Sequence, residues 1–253
     1  MKVSVVIPTY KRPGLAERLE KQIQNYTPDC EVIIIDQSSS NTPNTSEAKN
    51  QGIQKSTGDI IIFFDDDIEI TDNTISTHLE EYANLDIFGV AGRVINDGET
   101  VPPITDVITG QMNQFGTDFT KNFWGERKQF IVHPYGCNMS FRKSVLDKIG
   151  GFDTKFPTPL SAFEEVDLGL RVSKLGKIIF SPGALVYHHR AVSGGTRVDQ
   201  RTRNNQYYQS YGRLLRKHIK FPMVVLSIAI LKLRILKESP YSLFSFVKGL
   251  FVQ

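Results

Sequence analysis

The apolar positions of the first hundred residues change period in a regular order. Residues 3–7 form a short β-branched run ended by Pro8, and Leu15, Leu19, Gln22 and Ile23 then recur at helical spacing after Pro13-Gly14, predicting a helix over 14–25. Residues 31–35 read as a second buried strand ending at Asp36. A polar stretch leads into a helix near 45–55, Gly58-Asp59 turns the chain, and a third strand over 60–64 runs directly into Asp65-Asp66-Asp67. Thr71 or Asp72 is placed to cap a helix reaching Leu85, and 87–93 reads as a fourth strand. Short strands alternating with helices predict a parallel sheet covered on both faces.

Beyond residue 95 the pattern weakens. Pro102-Pro103, scattered glycines and polar residues through 130 predict a long irregular stretch with a functional role. Regular signals return over 132–141, followed by a helix over 143–149, a turn at Gly150-Gly151, a helix over 163–175 and a strand over 177–180. The chain divides into 1–95, 96–196 and a C-terminal extension, 197–253.

Composition narrows the class. With 253 residues, 40% apolar and 23% charged, the chain can bury a full core. The N-terminal apolar run is too short for a signal peptide and stops at Pro8 without a small-residue cleavage site, so a cytoplasmic location is expected. Cys30 and Cys137 lack the spacing of a zinc knuckle or a disulfide framework and are expected to be buried free thiols. Charge is distributed unevenly: after residue 196 eleven Lys or Arg face only Asp199 and Glu238, whereas residues 1–196 carry 19 cations and 25 acids.

Three consecutive carboxylates at the end of an apolar strand repel one another, and a hard divalent cation such as Mg²⁺ or Mn²⁺ would compensate them. A solvated acidic turn or a structural Ca²⁺ loop is the alternative. Asp36 adds a carboxylate at the same strand edge, where open α/β sheets bind ligands. Neither GxGxxG nor GxxxxGK[ST] occurs, so a nucleotide would have to be gripped by metal and side chains.

Several segments carry a family resemblance. Residues 5–12 (Val-Val-Ile-Pro-Thr-Tyr-Lys-Arg), Ile34-Ile35-Asp36-Gln37-Ser38-Ser39, residues 48–53, and 58–67 ending in the triplet resemble the donor half of family 2 glycosyltransferases. Asn138-Met139-Ser140-Phe141-Arg142, Gly150-Gly151-Phe152-Asp153 and residues 163–171 resemble the acceptor half and the catalytic helix; residues 187–195 resemble the closing segment. The match covers residues 3–195 in order.

The resemblance implies a GT-A fold: α/β, Rossmann-like, with a mostly parallel central sheet, helices on both faces, and here a C-terminal helical extension. It also implies inverting transfer from a nucleotide-diphosphate sugar to a hydroxyl of a glycan or lipid-linked acceptor. Pro8, Thr9, Tyr10, Arg12, Asp36, Lys49, Asp65 and Asp66 would serve the nucleotide sugar, and Asp67 and His188 a Mn²⁺ or Mg²⁺ ion, with Asp65 and Asp67 as the acids that serve donor and metal together. Only one of His188 and His189 can face the site, because neighbours leaving a strand point opposite ways. Arg190 or Arg197 would reach the diphosphate from a loop able to close over the donor.

A carboxylate must take the proton of the attacking hydroxyl, and the resemblance puts Glu165 in this role, with Glu164 as its rival. Alternatively Glu164, Glu165 and Asp167 merely cap and solvate a helix start. The sequence departs from the family pattern at three places. Glu165 stands where Asp is frequent, Gln37 where a second acid or Asn is frequent, and Ala191 where Gly is frequent. A UDP-sugar is the default donor, with GDP and dTDP open. A sugar-nucleotide nucleotidyltransferase would need a glycine-rich, arginine-bearing loop where Pro8–Pro13 stands, and a metal-dependent carbohydrate-binding module would not need Glu165.

Residues 207–220 read as a basic helix. The apolar run 223–231, the Lys/Arg-interleaved 232–237 and a second stretch over 243–252 suit a segment lying in a membrane interface, peripheral on its inner face. Packing on the domain or on a second copy of the chain, as a homo-oligomer, is the other reading. No nucleic-acid motif accompanies the charge, so no nucleic-acid partner is expected.

Overall fold

A computed structural model describes residues 1–191 and 194–251; Val192 and Ser193 of the expected closing segment, and Val252 of the second apolar stretch, lie outside the described residues. Strands apolar on both pleat faces belong at the middle of a covered sheet, and β1 (Val3–Thr9) and β3 (Ile60–Phe64) sit there, paired in parallel with nearly every side chain buried. Pro13 opens α1 (Pro13–Tyr26), where a missing N–H is harmless, and Ala16, Leu19 and Ile23 turn inward. β2 (Glu31–Asp36) flanks β1 in parallel. In α2 (Thr45–Lys55), Asn44 caps the first turn by accepting from the Glu47 N–H. Gly52 then lets the helix lie against β1, since a Cβ there would meet Val6 Cγ1 at 2.2 Å.

The remaining strands are β4 (Ile68–Ile70), β5 (Ile87–Asn96), β6 (Gln129–Ile131), β7 (Asn138–Arg142) and β8 (Lys177–His188). They complete an eight-stranded sheet in the order β2-β1-β3-β7-β5-β8-β4, with β6 also on β8. β1, β2, β3, β5 and β8 run one way; β4, β6 and β7 run the other. The sheet is therefore mostly parallel in strand direction, but β7 enters antiparallel between β3 and β5, which strand-helix alternation alone does not predict.

Two expectations are corrected here. The helix expected from residue 71 or 72 is α3 (Thr74–Glu81), because residues 68–70 first add the short strand β4 and Thr74 anchors the start through its hydroxyl to Leu185 O at 2.6 Å. The strand expected to stop at 180 continues to His188. Its register against β5 jumps between Gly92–Ser181 and Arg93–Leu185, so an irregularity absorbs Pro182-Gly183-Ala184 and the strand resumes.

α4 (Lys143–Ile149) packs into the core of the sheet through Val145 and Leu146, and α5 (Glu164–Val172) carries Val166 and Leu170 into a second core with α6 (Gln200–His218), α7 (Met223–Glu238) and α8 (Leu243–Phe251). This core gathers Phe163, Tyr208, Tyr211, Leu231, Ile235 and Phe246. The irregular stretch before β6 contributes to packing as well as to the cleft: Phe119 lies 5.6 Å from the Phe163 ring and 5.8 Å from that of Tyr211. α6 starts seven residues before the expected 207, where the Asp199 carboxylate accepts from the N–H groups of Arg201 and Thr202. α8 crosses it at backbone contact, since a Cβ on Gly249 would lie 1.9 Å from Gln209 O.

Part of the extension's positive charge is used internally. Asp153 accepts Arg213 and Lys217, both at 2.7 Å, and the wholly buried Asp167 takes Lys217 and His218 on one oxygen and Arg171 on the other. Packing on the domain is thus what the structure shows for α6.

Candidate active site

Three parallel strands end together, and their carboxyl ends open a cleft of about 370 Å³. Pro8, Thr9, Tyr10 and Arg12 line it from the end of β1, Asp65 and Asp66 from the end of β3, Lys49 from α2, and Glu164 and Glu165 from the first turn of α5. His188 reaches it from the end of β8. A second recess of about 560 Å³ shares Arg12, Asp65 and His188 with the first and continues past Asp67 to Arg190, Arg197 and Arg203.

The three acids of the triplet have different surroundings. Asp66 is turned into the protein, accepting from the Thr9 hydroxyl at 2.6 Å and pairing with Arg12 at 2.6 Å. Burial pushes its carboxyl up to about 6 even so. Asp67 meets the His188 Nε2 at 3.2 Å, the Arg12 guanidinium at 3.1 Å and the Ala191 N–H at 2.9 Å; burial opposes its charge, but His188 and Arg12 outweigh that and hold it below the usual carboxylate range. Asp65 has no such set of bonds, and burial raises its pKa despite Lys49 and His188.

Ligand atoms of Asp65, Asp67 and His188 all lie within 4.8 Å of one another. Two carboxylate oxygens and an imidazole form a donor set that fits a divalent ion of the Mn²⁺ or Mg²⁺ kind. The imidazole is oriented by its other nitrogen, Nδ1, which lies 3.0 Å from Asn96 Oδ1. His189 turns the opposite way, to Asp97 at 2.9 Å and Glu69 at 3.4 Å.

Across the cleft, Lys49 and the two glutamates form a compact charged group. Lys49 is buried and bonds Glu164 at 3.1 Å; burial works against its charge, but Glu164, Asp65 and Glu165 outweigh it and raise its pKa. Glu165 is left without a direct cation, and burial together with the neighbouring Glu164 raises its pKa above the usual glutamate range. Gly136 lies between them on the cleft wall, 3.7 Å from Lys49 Nζ and 3.8 Å from Glu165 Cβ when measured from where its own Cβ would be.

Asp36 differs from the others. It is exposed, its carboxylate accepts from the N–H and hydroxyl of Ser38, and its neighbour Gln37 is the residue that lines the cleft. Arg190 pairs with Glu99 at 2.6 Å. No motif marks Tyr135, Cys137 or Leu160 as cleft residues, nor Tyr207, which α6 brings to the cleft beside Phe163 with ring centroids 4.9 Å apart. Cys30 and Cys137 are free and buried.

Comparison with known proteins bears on the family and the fold. The sequence model described as Glycosyl transferase family 2 matches residues 40–150. A curated relative, the glucosyl-dolichyl phosphate glucuronosyltransferase of Haloferax volcanii, is 27% identical over 61% of this chain, and the match spans 56% of that relative's length. Among solved structures, S. aureus TarS 1-349 in complex with UDP-GlcNAc superposes with a TM-score of 0.64 at 14% identity, covering 99% of this chain and 80% of that one. The mannosyltransferase PcManGT from Pyrobaculum calidifontis, in complex with GDP-Man and Mn²⁺, gives 0.57 at 13% identity, covering 98% and 74%.

Proposed function

Because the chain belongs to glycosyltransferase family 2 and has the GT-A fold, we propose that it is an inverting glycosyltransferase that moves one sugar from a UDP-sugar to a hydroxyl of a glycan or lipid-linked acceptor. One observation carries the reading: an under-compensated carboxylate, Glu165, faces the same cleft as a three-residue donor set for a divalent ion, Asp65, Asp67 and His188.

Residues 1–95 form the donor half. The nucleoside lies along Pro8, Thr9, Tyr10 and Gln37, with Asp36 behind, and Arg12 and Asp66 brace the triplet from below. Asp65, Asp67 and His188 would hold a divalent cation, which would supply positive charge to the leaving diphosphate. Lys49 faces the sugar and diphosphate from the side of α2, and Arg190 or Arg197 meets the diphosphate from the second recess.

Residues 96–196 form the acceptor half. Glu165 takes the acceptor's proton as the hydroxyl oxygen attacks the anomeric carbon from the face opposite the diphosphate, which leaves as UDP with the bonding electron pair. A base whose pKa is raised toward neutral holds the proton it receives more firmly than an ordinary carboxylate does. The extension, 197–253, closes the acceptor end through Tyr207. A lipid-linked acceptor is supported by the relative named for transfer to glucosyl-dolichyl phosphate.

The test is a thermal-shift panel of UDP-, GDP- and dTDP-sugars with Mn²⁺, Mg²⁺ or EDTA, on wild type and Asp67→Ala. A metal-dependent rise with UDP-sugars, lost in the variant, is the expected result. A rise with another nucleotide alone would correct the base, and no rise with any would overturn the reading.

A further inference from the structure

A helix that packs one stripe of apolar residues on its own domain has no reason to carry a second stripe facing outward, yet α7 does. Val224, Ile228, Leu231 and Ile235 belong to the second core, while Val225, Leu226, Ala229, Leu233 and Leu236 are exposed, Leu233 to 73%. These five fall at i, i+1, i+4, i+8 and i+11, one face of a helix and opposite to the packed one. α8 repeats the arrangement in shorter form: Phe246 and Gly249 pack inward, and Phe244, Val247 and Phe251 face outward. Such a contiguous exposed apolar surface marks an interaction site.

We propose that α7 and α8 seat this protein on the surface of an anionic lipid bilayer, lying in the interface with the outward apolar stripe among the acyl chains and lysines at the phosphates. Charge selects this occupant. The cations that α6 contributes at Arg213 and Lys217 are bonded to Asp153 and Asp167. On α7 and α8 themselves, the exposed Lys232, Lys237 and Lys248 form no ion pair within 4 Å among the described residues. Lys232 and Lys237 flank the apolar stripe of α7 on its two sides, where a lysine stem can cover apolar surface and its ammonium reach outward. The one acid of these helices, Glu238, is occupied by Arg234 at 3.0 Å and the Tyr208 hydroxyl at 2.8 Å. A second copy docked on the same face would bring lysine against lysine, whereas an anionic headgroup layer meets them with opposite charge.

The geometry also fixes the mode of attachment. No described helix is long and apolar enough to cross a membrane, so the segment rests on the bilayer rather than through it. α7 is tied to α6, the helix whose Tyr207 lines the cleft: the Tyr208 hydroxyl donates to Glu238 at 2.8 Å. A surface held this way would present the cleft to an acceptor borne on the same lipid layer, a consequence that rests on the glycosyltransferase reading while the attachment itself does not.

Flotation of the full chain with vesicles of phosphatidylcholine, alone or mixed with phosphatidylglycerol, at low and high salt, is the test. Wild type should float with the anionic vesicles and be released by salt. Lys232→Ser with Lys237→Ser should weaken binding about 30-fold, and Leu226→Ser, Leu233→Ser and Leu236→Ser together about a hundredfold. Both variants alter exposed side chains and should keep the wild-type melting temperature and its donor-induced shift, so failure to float is read separately from failure to bind donor. Wild type that stays off anionic vesicles would overturn the proposal. So would a dimer in solution that the leucine variant dissociates, since that face would then be a contact between copies.

Discussion

Glu165 and Asp167 stand two residues apart on α5, both taken from water, and their surroundings drive them in opposite directions. Asp167 has Arg171, Lys217 and His218 around it; burial opposes its charge, but the His218 bond and the two cations outweigh that and hold its carboxyl well below the usual range. Glu165 has a glutamate beside it, and the nearest cation, Lys49, is bonded to Glu164. A carboxylate surrounded by partners is a fastening, here between α5 and α6. One left short of partners on a cleft wall is the acid to which the proposed function gives the acceptor's proton. The same helix start thus carries one acid for attachment and one that the proposal assigns to chemistry.

The comparison breaks most sharply at Glu165. Glu165→Gln should lower turnover about a thousandfold, in the range expected for loss of a general base, while donor binding persists. The variant should not lose stability. A glutamate whose folded pKa is raised binds its proton more tightly folded than unfolded, so it costs stability as pH rises from the ordinary glutamate range toward the raised value. Glutamine removes that cost, and urea melts of the two proteins should diverge in the variant's favour as pH increases through neutral. Turnover surviving in Glu165→Gln would move the base to Glu164 or away from this helix.

Asp167→Asn should do the reverse. Removing one partner of a buried ion cluster takes the acid away from Arg171 and His218 and leaves Lys217 with Asp153 alone at the α5–α6 contact, with an expected loss of about 3 kcal/mol measured by urea unfolding. Turnover per folded molecule should be retained. The sign of the pH dependence is also reversed: with its folded pKa lowered, Asp167 contributes stability above the ordinary aspartate range and loses it as pH falls through the folded value. Asp153, also lowered, behaves alike, so acid should loosen the extension from the domain.

The sequence shows these two regions unequally. β1, α1, β2, α2 and β3 are legible because each is long enough to display its period and is bounded by Pro13, Asp36, Asn44 or Gly58. β4 is three residues long and has no period to read, and the far half of β8 lies behind a Pro182-Gly183 that normally ends a strand. The triplet is visible because three adjacent acids are anomalous anywhere. What Asp66 does is not, since its partners Thr9 and Arg12 lie more than fifty residues away. The fastening is illegible for the same reason: Asp153 and Asp167 belong to motif-bearing segments, and their partners sit on a helix whose charge, read alone, looks directed at solvent. The elements of residues 1–95 are legible locally, whereas the α5 side of the cleft depends on long-range contacts that bring Tyr207 and Phe119 to Phe163.

The smallest effects should come from the two histidines that end β8, which pose the same contrast at adjacent positions. His188 leaves the strand toward Asp67 and the cleft; His189, on the opposite face, meets Asp97 and Glu69, both more than half exposed. His188→Gln should weaken Mn²⁺ binding roughly tenfold by titration calorimetry, since an imidazole nitrogen leaves the donor set while Asp65 and Asp67 remain. His189→Gln should leave that affinity unchanged and shift stability by less than about 1 kcal/mol, the usual range for a solvent-exposed ion pair. Equal losses in both variants would mean that the end of β8 supports the site through its backbone, such as the Ala191 N–H on Asp67, and that neither imidazole is a ligand.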